Sequence, residues 1–330
     1  MCTMSLLVLK KSDVASLLSM EKCIELMSDA LASLARGDVV LPLRPVIRIP
    51  DSRNAFGVMP AYSASLKAIG AKLISVFPDN HGTALDSHQG AVALFDGTNG
   101  SLLSLMEAGS ITAIRTAAVS GVATKLLARK DARTVAILGS GAQGRTHIDA
   151  MMAVRPFTRV IVWSRNPAHA HTLIEAAAKA HRVTFEVSGT AAAAVANADV
   201  VCTVTASREP VLEGAWLRDG VHINAVGASL PSTRELDSTA VKRSRVFVDR
   251  RESAVHEAGD LIIPMKEGEF AMTDIVAEIG ELLIGSATGR RNEQEITLFK
   301  SLGIAVEDLA CAQYLYDRAR TDGVGTLVDF

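Results

Sequence analysis

The sequence has little net charge, few cysteines and no long uncharged apolar run. Lysine plus arginine total 34 against 36 aspartate plus glutamate, a formal balance of −2. So weak a field gives no electrostatic hold on nucleic acid or on an anionic membrane, and neither is expected as a partner. The four cysteines, Cys2, Cys23, Cys202 and Cys311, are scattered and form no CxxC. That spacing argues against a disulfide framework and against a zinc site, so no metal is expected. It fits reduced thiols in a cytoplasmic protein. No stretch reaches the ~20 apolar residues of a membrane span. The run Leu6-Leu7-Val8-Leu9 precedes Lys10 and Lys11, the reverse of a secretory signal, and reads as a first β-strand. There is no internal repeat and no low-complexity tract.

The composition is that of a globular protein, 48% hydrophobic and 21% charged. At 330 residues the chain is long enough for two domains. The first third reads as mixed α and β. Ser19 is an N-cap ahead of Ile24, Met27, Leu31 and Leu34 at helical spacing, with Gly37 as the stop. Strands are expected at Val46–Ile49, Phe56–Met59, Ala71–Phe77 and Ala91–Phe95. Asp96-Gly97-Thr98-Asn99-Gly100 turns the last of these into a hairpin with Ser101–Met106. A helix follows over Thr112–Leu127.

From Thr134 the rhythm becomes strand, helix, strand. Strands are expected at Thr134–Leu138, Arg159–Trp163, Val183–Val187, Val200–Val204, Val221–Val226 and Arg245–Val248, with helices over Gln143–Val154 and Pro167–Ala180. Such alternation predicts an α/β fold, a Rossmann doubly wound parallel sheet, beside an α+β domain. A last helix, Gly303–Ala319, is expected to turn Val306, Leu309, Ala312 and Leu315 inward and to pack back on the first domain. The division expected is 1–120 with 305–330, and 121–304.

Gly139-Ser140-Gly141-Ala142-Gln143-Gly144 follows an apolar strand and opens a helix, the context a GxGxxG needs for a dinucleotide. Gly139 would allow the tight turn, Gly141 the approach of a pyrophosphate, and Gly144 close packing of helix on strand. An NAD site places an acid about 20 residues further on, at the end of the second strand. Here Trp163-Ser164-Arg165-Asn166 stands there instead. Arg165 suits a 2′-phosphate, which favours NADPH, with NADH as the other option.

Arg44, Lys72 and Arg115 are cations among apolar neighbours on three separate segments. Buried cations need partners, and such a set suits a small carboxylate substrate. Lys72 could equally snorkel to solvent. His88 reads from its loop alone as a surface residue. Glu257 and Asp260 could sit at the mouth of a cleft or cap a helix.

Several motifs then converge. They are Gly57-Val58-Met59-Pro60-Ala61-Tyr62, Ser87-His88-Gln89, Thr112-Ala113-Ile114-Arg115-Thr116-Ala117-Ala118 and the glycine loop. Val226-Gly227-Ala228-Ser229, Arg234-Glu235-Leu236-Asp237 and Phe299-Lys300-Ser301-Leu302-Gly303 with Val306-Glu307-Asp308 complete the series. Through them nearly the whole chain resembles the ornithine cyclodeaminase/μ-crystallin family. The resemblance implies a homodimer, with a substrate and dimerisation domain made from both chain ends. It implies that Arg44, Lys72 and Arg115 hold a substrate carboxylate, with Lys72 and Arg115 catalytic, and Glu257 is taken as a further substrate contact. Ser87, His88, Gln89, Arg115, Thr116, Thr205, Val226 and Ser301 would line the cofactor, with Ala142, Gln143 and the 164–166 segment. Cyclodeaminases of the family carry an aspartate where this chain has Ser229, and serine is no carboxylate base. The resemblance therefore points to the ketimine reductases. It implies NAD(P)H-dependent reduction of Δ1-pyrroline-2-carboxylate or Δ1-piperideine-2-carboxylate to L-proline or L-pipecolate. Alanine-dehydrogenase-like or N-alkyl amino acid chemistry, ornithine cyclodeamination and a non-catalytic NADPH- and ligand-binding role are the alternatives.

Overall fold

The computed structural model describes residues 5–80 and 83–330. The chain forms two compact units, Met1–Arg115 with Ile304–Phe330, and Thr116–Gly303. The first opens with β1 (Ser5–Leu9), α1 (Lys11–Leu17) and α2 (Met20–Ala35). It continues with β2 (Val39–Val40), β3 (Val46–Arg48), β4 (Ala55–Ser63), β5 (Ala68–Val76), β6 (His88–Asp96) and β7 (Leu102–Glu107). The chain passes from the first unit to the second within α3 (Ala108–Leu127). The second unit holds β8 (Thr134–Leu138), α4 (Ala142–Val154), β9 (Arg159–Trp163), α5 (Pro167–Ala177), β10 (Thr184–Val187) and α6 (Ala191–Ala196). Next come β11 (Val200–Thr203), β12 (His222–Ala225), α7 (Ser238–Lys242), β13 (Ser244–Val248), α8 (Arg251–Glu257) and α9 (Gly259–Lys266). The unit closes with β14 (Ile275–Glu278), α10 (Ile279–Leu283) and β15 (Ile296–Lys300). The chain then returns to the first unit as α11 (Ala305–Asp322) and β16 (Thr326–Asp329).

The first sheet runs β16-β1-β7-β6-β5-β4-β2, with β3 paired to β4. It is antiparallel except where β1 lies parallel to β7. α11 packs on β4, β5 and β6 and on α2. β5 shows how the strand period sorts residues by face. Ala68, Gly70 and Lys72 are buried, whereas Ile69 and Leu73 are exposed on the opposite face.

The second sheet is parallel throughout, in the order β10-β9-β8-β11-β12-β15-β13-β14. The chain reverses its direction of winding between β8 and β11, which is where an open α/β sheet forms its ligand crevice. Ile161, Val201, Ile223, Val246 and Leu298 of its strands join one buried apolar cluster.

The elements fall close to expectation. Ser19 caps α2 by accepting from the Lys22 amide, and the hairpin β6–β7 turns at Asp96. α3 starts one turn before the expected Thr112, and α5 ends at Ala177 instead of Ala180. β15 is a strand the periodicity does not reveal, and it lies inside the sheet between β12 and β13. Val306, Leu309, Ala312 and Leu315 are all buried, and α11 belongs to the first unit.

Leu315 is fully buried on α11. Leu315→Ala should lower the unfolding free energy of the first unit by about 3 kcal/mol, as large-to-small changes in a packed core do. Urea unfolding followed by circular dichroism measures it, and a loss under about 1 kcal/mol would refute the packing described.

Candidate active site

Lys72 lies on the face of β5 that α11 covers, so it does not reach solvent. Its side chain is 3% exposed, and Nζ lies 2.9 Å from Asp308 Oδ2. Nζ also donates to Asp308 Oδ1 at 3.1 Å and to the Thr112 hydroxyl at 3.3 Å. Arg115, one turn after Thr112 on α3, donates from Nε to Asp308 Oδ1 at 3.0 Å and from Nη1 to Glu307 Oε2 at 2.7 Å. Glu307 and Asp308 stand in the first turn of α11, where the helix dipole favours acids. Two cations and two carboxylates are thereby buried together, each compensating the other.

The electrostatics of the set are uneven. Burial and then the Arg115 guanidinium push Lys72 down to about 8, against the pull of Asp308, and Arg44 adds to the decrease. Burial likewise disfavours charge on Arg115, but Asp308 and Glu307 outweigh it and keep the guanidinium firmly protonated. Burial raises Asp308, yet Arg115 and Lys72 overcome this and hold the carboxylate below its ordinary value. Arg44, half-buried between β2 and β3, is near enough to act on Lys72. The three cations expected from sequence thus belong to one electrostatic group. His88 opens β6, its side chain reaching solvent while surrounding atoms, and then the Lys72 charge, depress its pKa. Ser87 bonds the His88 ring at 3.1 Å, and Gln89 donates to the Asp86 carbonyl at 3.0 Å.

In the second unit the glycine loop joins β8 to α4. Gly139 has φ +126°, a conformation L side chains rarely adopt. A Cβ on Gly144 would lie 2.5 Å from the Gly139 carbonyl oxygen, so only glycine lets α4 start so close to the strand. Gly141 is the N-cap of α4 and faces open space. Ala142 and Gln143 form the first turn, where backbone N–H groups have no helical acceptor. Gln143 Oε1 and the Ser301 hydroxyl are buried with no hydrogen-bond partner among the described residues. An open helix N-terminus and orphaned polar atoms just past the carboxyl ends of β8 and β15 fit a dinucleotide. Ser164 accepts from Ser140 at 2.8 Å, and Arg165 is exposed at the end of β9. Asn166 is committed to structure, capping α5 through the Ala168 amide. Thr116, in α3, is buried; Thr205 and Val226 follow β11 and β12, and Glu257 ends α8.

Two readings change. Asp260 is not at a cleft mouth: it is fully buried and pairs with Lys300 at 2.9 Å. Lys72 does not snorkel, because its strand position points it under α11. Glu307 and Asp308, the partners of the cations, are site residues that the sequence reading misses. Adjacent acids in an otherwise inward-facing helix are the signal that could have found them. Among the described residues no cluster could hold a metal ion, and no helix is long and apolar enough to cross a membrane.

A parallel sheet with a glycine loop opening its first helix, in a chain that also carries a buried cationic set, has the features of a nicotinamide-dependent oxidoreductase. The chain belongs to the ornithine cyclodeaminase/mu-crystallin family, whose profile matches residues 4–323. It is 36% identical over 326 residues to the Δ1-pyrroline-2-carboxylate reductase of Bacillus cereus, covering 98% of this chain and 100% of that one. It is 41% identical over 291 residues to the ketimine reductase mu-crystallin of Mus musculus, covering 87% and 89%. The solved structure of Thermococcus litoralis Δ1-pyrroline-2-carboxylate reductase with NADH and L-proline superposes with a TM-score of 0.96 at 40% identity. That match covers 98% of this chain and 100% of the other.

Gly144→Ala must displace the Gly139 peptide and so deform the cradle. We expect the dissociation constant for NADPH, read by fluorescence titration, to rise at least about tenfold, or ~1.4 kcal/mol. Unchanged binding would show that the loop does not hold the pyrophosphate.

Proposed function

We propose that this protein reduces a cyclic ketimine carboxylate, Δ1-pyrroline-2-carboxylate or Δ1-piperideine-2-carboxylate, to L-proline or L-pipecolate with NAD(P)H. The observation that carries this reading is the buried set of Lys72 and Arg115 on Glu307 and Asp308. The names of the relatives, reductases of such imines, support it. Ser229, exposed after β12 where cyclodeaminases have an acid, favours reduction over cyclodeamination.

Bound NAD(P)H would supply hydride for the C=N carbon. The residues of the first unit do the rest. Asp308 and Glu307 hold Nε and Nη1 of Arg115, which leaves the Nη2 edge to meet a substrate carboxylate. Arg44 adds positive charge to the same group. Lys72, with a pKa of about 8, carries a proton at neutral pH and releases it readily. It is the group we assign to the imine nitrogen. Asp308 keeps Nζ from swinging away. Glu257 is proposed as a further substrate contact, and Ser87, His88, Gln89, Thr116, Thr205, Val226 and Ser301 as cofactor contacts.

Three companion readings belong here. Arg165, exposed and with no acid beside it on the 163–166 segment, supports a preference for NADPH. Tyr62, Ile69 and Leu73 are 37–41% exposed on the uncovered face of the first sheet, which supports a homodimer built on the first unit. The buried free thiols of Cys23, Cys202 and Cys311 support a cytoplasmic location.

Steady oxidation of NADPH on adding Δ1-pyrroline-2-carboxylate tests the reading. Protonated Lys72 is lost as pH rises through about 8, so kcat/KM for reduction should fall above that value. Lys72→Arg should be slower by at least about 10²-fold and should lack that descending limb. Turnover of pyruvate with ammonia alone, or of ornithine to proline with NAD+, would transfer the assignment to the corresponding relatives. No oxidation with any imine would end it.

The cofactor preference has its own check. Arg165→Asp should shift the ratio of NADPH to NADH efficiency toward NADH by at least about tenfold, the loss of one charge-assisted contact. A ratio that does not move would remove Arg165 from the cofactor site.

A further inference from the structure

We propose that Glu235, braced by Asp260 and Lys300, is a positioning residue for the dinucleotide, setting the carboxyl ends of three neighbouring strands. β11, β12 and β15 are adjacent in the parallel sheet. The Glu235 carboxylate accepts four hydrogen bonds from the ends of the first two. Oε2 takes the Thr203 hydroxyl at 2.8 Å and the Gly227 amide at 2.7 Å. Oε1 takes the amide and the hydroxyl of Thr205, both at 2.6 Å. Asp260 anchors the clamp from below. Its Oδ1 accepts from the amides of Glu235 and Leu236 at 2.7 and 3.0 Å. Its Oδ2 lies 2.9 Å from Lys300, the last residue of β15, whose ammonium also donates to the Ala225 carbonyl of β12 at 3.2 Å.

All three ionisable side chains are fully buried, two carboxylates against one ammonium. An apolar plug would hold a sheet together with less desolvation cost. What it could not do is fix the direction of two amides and two hydroxyls. The segments so fixed are Thr205, Val226-Gly227 and Ser301, each at or just past a strand end where an α/β sheet binds its ligand. The fit at Gly227 is close: a Cβ there would lie 2.0 Å from the Thr205 carbonyl oxygen and 2.6 Å from Glu235 Oε1. The two loops and the carboxylate therefore move as one body. Glu235→Gln keeps the shape but, whichever way its amide faces, turns the NH2 toward one obligate N–H donor, the Thr205 or the Gly227 amide, which forces that loop away.

The inference rests on the dinucleotide reading above, and the test separates the two. Asp199 is the control. It immediately precedes the same strand β11 and accepts from the amides of Arg133 and Thr134 at 2.8 and 2.9 Å, at the end of the sheet remote from the crevice. Dissociation constants for NADPH and NADH are measured by fluorescence titration on the full chain, alongside urea unfolding. Glu235→Gln should weaken the preferred cofactor at least about tenfold, with KM for the imine at saturating cofactor within about twofold of the parent. Thr203→Val, isosteric and buried, removes one donor and should weaken it about threefold, which keeps the test open if Glu235→Gln does not fold. Asp199→Asn should lose stability while binding cofactor like the parent. Cofactor affinities of the Glu235 and Thr203 variants equal to the parent's, or a loss of the same size in Asp199→Asn, would overturn the positioning role. A parent that binds neither nucleotide would instead overturn the dinucleotide reading.

Discussion

The ion set of Lys72, Arg115, Glu307 and Asp308 is the constraint around which the first unit is arranged. It joins three elements far apart in the chain, β5, α3 and α11, at one buried point. Removing one member of such a set leaves a charge without compensation in a dry interior, a penalty of about 3–5 kcal/mol. The same burial that makes the set costly makes it useful. It brings the lysine's pKa down to about 8, while the two acids keep the arginine charged, so neighbouring cations differ in how firmly they hold their protons.

The second unit handles charge differently. Its cradle uses glycines and backbone N–H groups, with no side-chain cation in the loop itself until Arg145. Its buried carboxylates serve backbone donors. Glu235 receives two amides and two hydroxyls and Asp260 two amides, so the acids substitute for a missing stretch of ladder where strands give way to loops. In the first unit the buried acids face cations, whereas in the second they hold the main chain as well, with Asp260 also pairing Lys300.

Much of this was legible in the sequence because it is written locally. A run such as Thr134–Leu138 followed by a glycine loop and a helix start needs no distant residue to be understood. The same holds for the Ser19 cap and for the turn at Asp96. β15 escaped because its five residues have no alternation and end in a lysine; only pairing with β12 and β13 makes them a strand. Lys72 was ambiguous for a related reason. A lysine in an apolar run snorkels or pairs according to what covers its face, and what covers it is a helix from the far end of the chain. The place of Asp260 is not readable from sequence because its partners, Lys300 and the amides of residues 235 and 236, share no spacing with it.

The return of α11 to the first unit has a consequence for synthesis. Asp308 lies 236 residues after Lys72 and 193 after Arg115. When the ribosome has made the first 115 residues, both cations exist but neither counter-charge does. A whole nucleotide-binding unit must emerge before the acids arrive. Domains fold as units during translation, so the second unit can complete itself while the first waits without its last helix, with Lys72 on β5 and Arg115 on α3 both uncompensated. The buried ion set is therefore the last thing to be assembled, and a nascent chain balances its two cations only when its final helix docks.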